Sequence, residues 1–136
     1  MFNPPVIAVV DDEEAIRDAL SDLLLVMGYT CHVFDRAETF LAADPPDRFD
    51  CLITDIRMPG ISGLELLQRL KAQGSTMPVI VVTSVTDPLT RGRALAGGAH
   101  AYLTKPVTDD VLLQSIKTAL PDKDNPSNND EEPTDN

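Results

Sequence analysis

Apolar positions fall into two alternating kinds of segment. Val6-Ile7-Ala8-Val9-Val10 is a short, continuous apolar run of the sort that forms a strand buried on both faces. After it, Ile16, Ala19, Leu20, Leu23, Leu24 and Met27 recur at three- and four-residue spacing, which predicts a helix from about Glu14 to Met27 with Gly28 ending it. Tyr29 to Phe34 has the β-branched and aromatic mix of a second strand, and a short helix around Ala37 to Ala43 follows, stopped by Pro45-Pro46. Cys51-Leu52-Ile53-Thr54 is a third strand. Ser62, with Glu65 three residues later as in a capping box, opens a helix carrying Leu64, Leu67 and Leu70 as far as Gln73-Gly74. A fourth strand starts at Pro78 or Val79. Between Thr86 and Gly97 the helical signal is weaker: Asp87-Pro88 makes a good start, but Gly92 in the middle costs about 1 kcal/mol, so this should be the softest helix. A fifth strand reaches Leu103, and Thr108 caps a last helix with Leu112, Leu113, Ile116, Ala119 and Leu120 turned inward.

Five strands alternating with five helices through short connections imply a parallel sheet with right-handed crossovers and helices on both faces. The expected fold class is α/β, a flavodoxin-like doubly wound sheet in the order 2-1-3-4-5. In that order the first and third strands are neighbours where the winding reverses, and ligands bind beyond their carboxyl ends.

Those ends carry the polar chemistry. The first strand runs into Asp11-Asp12, the third into Asp55 just before Met58-Pro59-Gly60 forces a loop, the fourth ends in Thr83 and the fifth in Lys105-Pro106. Taken singly, these have ordinary readings: Asp55 as a turn residue, Asp11-Asp12 as caps on the first helix, Thr83 as a strand-end threonine, Lys105 as a solvated lysine. Together they are a site. Three neighbouring carboxylates repel unless protons or a cation neutralise them. Oxygen-only ligands without His or Cys favour Mg²⁺, with Mn²⁺ as the other candidate, over Zn²⁺. Lys105 adds a point charge and Thr83 a hydroxyl, so the set suits a phosphoryl group on Asp55 as nucleophile. None of these side chains is an obvious base for activating water, so the acyl phosphate should persist.

Composition narrows the class. At 136 residues and 43% apolar content the chain makes one domain. We expect residues 1–120 to be that domain. Six acidic residues and one lysine between Pro121 and Asn136, with no apolar side chain besides proline, predict an acidic, disordered tail over residues 121–136. The net charge of -11 argues against direct nucleic-acid binding. No stretch suits a membrane span or a signal peptide, which leads us to expect a cytoplasmic protein without membrane contact. Cys31 and Cys51 lie in predicted strands without metal-ligand spacing and read as buried free thiols. His32 and His100 lie away from the strand tips.

From about Val6 to Leu120 the sequence resembles the receiver domains of two-component response regulators, most like the FixJ/NarL type. The resemblance rests on Asp11-Asp12, Asp55 with Met58-Pro59-Gly60, Thr83 and Lys105-Pro106 in this order and spacing. It implies a signalling phosphoacceptor rather than an enzyme acting on other substrates, phosphorylated on Asp55 by a sensor histidine kinase or a phosphotransfer protein. It also implies that Asp12, Asp55 and the backbone carbonyl of Arg57 hold the metal, with Asp11 assisting through water. Lys105 would pair with the phosphoryl group, Thr83 would shift to bond it, and Tyr102 would turn inward with it. The Lys105-Pro106 bond is often cis in such domains. Tyr102 as a plain core aromatic and Pro106 as a trans turn residue are the competing readings.

Arg57 and Val85 stand two residues after Asp55 and Thr83, where the family tunes acyl-phosphate lifetime; Arg57 either screens the acidic pocket or shields the acyl phosphate. Relatives commonly continue into a DNA-binding domain, so the chain is either a stand-alone regulator or part of a longer one. The switched surface then controls an output protein or the domain's own dimerisation. Two alternatives remain: a phosphohydrolase of the haloacid dehalogenase type, which wants an Asp where Arg57 stands, and an interaction module without the phosphorylation reaction.

Overall fold

The computed structural model describes residues 4–43 and 49–120. The expected Pro45-Pro46 stop, most of the lead-in before Pro5 and the acidic tail from 121 onward lie outside the described residues. The elements alternate as β1 (Val6–Val10), α1 (Glu14–Val26), β2 (Thr30–Phe34), α2 (Ala37–Ala42), β3 (Cys51–Thr54), α3 (Gly63–Ala72), β4 (Val79–Thr83), α4 (Pro88–Ala96), β5 (Ala101–Thr104) and α5 (Asp109–Ala119). All strand pairs are parallel and the sheet order is β2-β1-β3-β4-β5, as the alternation predicted.

Because side chains alternate along each strand, the sheet serves two cores. Ala8, Val10, Leu52, Val79 and Val81 face Ala37 and Phe40 of α2, Leu66, Leu67 and Leu70 of α3 and Ala94 of α4. Ile7, Val9, Cys51, Ile53, Ile80 and Val82 face Leu20 and Leu24 of α1 and Leu112 and Ile116 of α5. The continuous apolar runs of β1, β3 and β4 thus follow from burial on both sides.

Caps hold the helices where the sequence placed them. Ser62 accepts from the Glu65 amide, Asp87 from the Leu89 amide and Thr108 from the Val111 amide. Glu65 departs from the expected capping box: its carboxylate pairs with Arg69 at 2.8 Å, one turn along the exposed face. The inward stripe of α1 is also narrower than the periodicity suggests. Ala19 is exposed, and the helix stops at Val26, so Met27 leaves the helical period and is 45% exposed. Among the described residues no helix is long and apolar enough to cross a membrane.

Candidate functional site

Strand register explains why distant residues meet. Val10 is level with Thr54, so Asp11 and Asp55, each the next residue, leave adjacent strands side by side. Thr54 is level with Val81 and Thr83 with Thr104, which carries Thr83 and Lys105 just past the same edge. Neighbouring strands lie about 4.8 Å apart, close enough for one cation to reach two tips.

Lys105 does so. Its Nζ donates to Asp55 Oδ2 at 2.9 Å, to Asp11 Oδ2 at 3.1 Å and to Glu13 Oε1 at 3.1 Å. The backbone turns that deliver the acids are themselves fixed. Asp11 Oδ1 accepts from the Glu13 amide, the Asp11 carbonyl accepts from the Arg17 guanidinium at 2.8 Å, and Asp55 Oδ1 accepts from the Ile56 amide at 2.6 Å. The start of α3 packs so tightly beneath this tip that a Cβ on Gly63 would run into the Asp55 carbonyl. Carboxylate oxygens of Asp11, Asp12 and Asp55 all lie within 4.8 Å of one another, Asp11 and Asp55 buried and Asp12 exposed.

Burial raises the Asp11 pKa above the usual carboxylate range, against the pull of the Glu13 amide and Lys105, and the Asp55 charge adds to the rise. For Lys105, burial acts downward, but its hydrogen bonds to Asp55 and Asp11 outweigh burial and leave the ammonium pKa raised. The cluster is therefore an acid excess held together by one ammonium.

An open cleft of about 490 Å³ extends from these acids, lined by Asp12, Glu13, Asp55, Arg57, Thr83, Ser84, Val85, Thr86 and Asp87. Thr83 is fully buried, and its Oγ1 accepts from the Val85 amide at 3.3 Å. Tyr102 is not on the lining. It is 6% exposed within the core under α4, its hydroxyl donates to the Val85 carbonyl at 2.7 Å, and the Arg91 guanidinium lies 5.6 Å from its ring centre. Burial, then the nearby Asp87 charge, raises the Tyr102 pKa. The Lys105-Pro106 peptide is cis.

A family model described as the response regulator receiver domain matches residues 7–117. The chain belongs to the response regulator receiver domains. This receiver domain is 42% identical to the transcriptional regulatory protein FixJ of Bradyrhizobium diazoefficiens over 84% of its own length and 56% of the relative's. It is 37% identical to the C4-dicarboxylate transport transcriptional regulatory protein DctD of Pseudomonas aeruginosa over 84% of its own length and 25% of that protein's. The chain spans about half the length of the FixJ proteins it matches. Among solved structures, FixJ-N superposes with a TM-score of 0.79 at 36% identity, covering 87% of this chain and 94% of the other. The Vibrio cholerae chemotaxis protein CheY4 gives 0.80 at 28% identity, over 87% and 100%.

Of the residues singled out from sequence, Asp11, Asp12, Asp55 and Lys105 form the receiver domain's acidic pocket, while Thr83 and Arg57 line its cleft. Tyr102 stands one layer behind. Glu13 was missed; an acid next to Asp11-Asp12 at the same strand tip was the available signal. Both cysteines are free, Cys51 buried and Cys31 partly so.

Proposed function

We propose that Asp55 is the phosphoacceptor of a two-component signalling pathway, taking its phosphoryl group from a phosphohistidine on a sensor kinase or phosphotransfer protein. The observation that carries this reading is the bridging of Asp55 and Asp11 by Lys105 at 2.9 and 3.1 Å beside the exposed Asp12. An all-oxygen set of three carboxylates within 4.8 Å fits a hard divalent ion, with Mg²⁺ first and Mn²⁺ second. Asp12, Asp55 and the Arg57 backbone carbonyl would hold it, Asp11 assisting through water. When bound, Mg²⁺ supplies positive charge to the oxygens of the transferring group.

This chain's own residues do the rest. The Ile56 amide and Lys105 each hold one oxygen of Asp55 and so aim the carboxylate. An Asp55 oxygen attacks phosphorus, the phosphorus–nitrogen bond of the donor breaks, and the imidazole leaves with the electron pair. Lys105 turns from carboxylate to phosphoryl oxygen, stabilising the charge that develops there. Thr83 Oγ1 exchanges its bond from the Val85 amide for donation to the phosphoryl group, which frees the 83–87 loop. Tyr102, tied to the same loop through Val85, repacks with it, and the altered surface changes the affinity for an output protein or for a second copy. Arg57, on the lip of the cleft, governs access of water to the acyl phosphate.

The chain's chemistry on this reading is confined to its own phosphorylation and dephosphorylation. Two free thiols support a reducing, cytoplasmic setting. We place the folded unit within residues 1–120. The experiment is incubation with Mg²⁺ and acetyl phosphate followed by intact mass. One added phosphoryl group in the wild type and none in Asp55→Asn is expected. Sustained release of phosphate at enzyme-like turnover overturns the reading in favour of a hydrolase.

A further inference from the structure

The chain between Asp55 and α3 carries Arg57, and its two ends are well anchored. At one end the Ile56 amide bonds Asp55; at the other the Gly63 amide donates to the Ile56 carbonyl at 2.8 Å and Ser62 caps the helix. Its middle is tied to a different part of the molecule. The Ile61 amide donates to Glu38 Oε2 at 3.1 Å, from the first turn of α2, 23 residues earlier. Gly60 has φ +77, and the Glu38 carboxylate lies so close to its Cα that a Cβ would overlap it. Glycine at 60 therefore serves both the turn and the approach of the carboxylate. Glu38 is rooted firmly, since its neighbours on the same short helix, Ala37 and Phe40, are buried in the core.

We infer that Glu38 is a positioning residue: its carboxylate clamps the Gly60-Ile61 turn and so holds the Arg57 backbone carbonyl where the divalent ion needs a donor. The inference rests on the proposed phosphoacceptor reading and deepens it. An acid in the first turn of α2 also suits the helix dipole, but that role needs no partner on another element. The reach to Ile61 does, and it depends on side-chain length. Metal sites whose ligands lose an outer support bind more weakly without losing their chemistry.

The test is a calorimetric Mg²⁺ titration of the full chain, paired with the phosphorylation rate at saturating Mg²⁺ and hydrogen exchange of the Ile61 amide. Loss of one charge-assisted bond should weaken Mg²⁺ binding in Glu38→Ala by about 3- to 10-fold and speed Ile61 exchange by a similar factor. The rate at saturating Mg²⁺ should stay within about 2-fold, because Asp55 and Lys105 are untouched. Glu38→Gln keeps an acceptor oxygen at the same reach and should recover wild-type affinity to within about 2-fold. Glu38→Asp keeps the charge and the dipole interaction but is one methylene short, and should behave like Glu38→Ala. Wild-type Mg²⁺ affinity in Glu38→Ala, or a Gln variant as impaired as the Ala variant, overturns the clamp while leaving the phosphoacceptor reading intact. A wild type that takes up neither Mg²⁺ nor phosphoryl overturns both.

Discussion

The two walls of the cleft are held by different forces. On the β1–β3 wall, Lys105 ties Asp11, Glu13 and Asp55 at 2.9 to 3.1 Å, and the Glu13 and Ile56 amides fix the Asp11 and Asp55 carboxylates from behind. On the β4–β5 side, Thr83 on the wall and Tyr102 one layer behind it each make one neutral hydrogen bond to Val85, at 3.3 and 2.7 Å, and Arg91 lies over the Tyr102 ring. Ionic bonds among partly buried groups are costly to break one partner at a time, whereas a neutral hydrogen bond exchanges for another at little net cost. The first wall is therefore suited to hold a fixed charge pattern, and the second to be rearranged by it. The proposed phosphorylation switch uses both.

The contrast can be broken at either wall. Lys105→Met leaves Asp11 and Asp55 buried together without a counter-charge, so without divalent ions it should lower unfolding stability by about 3 kcal/mol in a urea titration. Saturating Mg²⁺ should restore part of that loss, because an ion bound to the folded state stabilises it. A stability unchanged by the substitution would remove the ionic account of the first wall. Thr83→Ala should cost about 1 kcal/mol and leave Asp55 open to phosphorylation, while the phosphorylation-induced change in amide exchange over residues 83–87 and at Tyr102 disappears. Arg91→Ala should cost about 0.5 kcal/mol and show as faster exchange of Tyr102 alone.

The sheet beneath both walls is the control and should give the smallest effect. Burial, with a contribution from the Asp50 charge, pushes the Cys51 thiol up to about 12 from 9.0. The unfolded chain then releases this proton first, so the contribution is fully present below about pH 9 and is lost as pH rises from 9.0 toward about 12. At neutral pH Cys51→Ala should show no pH-linked change, and at pH 8 a thiol reagent should leave Cys51 unlabelled until denaturant is added.

Much of the fold was legible because its elements obey local rules. Continuous apolar runs marked β1, β3 and β4, and Ser62, Asp87 and Thr108 marked helix starts with cap bonds that the structure contains. The gathering of Asp11, Asp12, Asp55 and Lys105 followed from parallel topology alone, since residues that end parallel strands must share one edge. What escaped depends on how far a side chain reaches in space. Glu13 on Lys105, Glu38 on Ile61 and Arg91 on Tyr102 join residues 92, 23 and 11 positions apart, and no periodicity encodes such pairs. Glu65 took Arg69 rather than closing its capping box, because a cation one turn away competes with a backbone amide. The three- and four-residue repeat reaches Met27 in the sequence, but the last helical turn ends at Val26 and Met27 leaves the stripe.

The central claim is that one carboxylate among the converging acids accepts the phosphoryl group. Borohydride reduces an acyl phosphate to the alcohol, so protein exposed to acetyl phosphate with and without Mg²⁺ can be reduced, digested and sequenced by mass spectrometry. Homoserine at position 55, formed only with Mg²⁺ and at a stoichiometry approaching one per chain, is the predicted result. Homoserine at Asp11 or Asp12, or none at position 55 under conditions where Mg²⁺ binds, would contradict it.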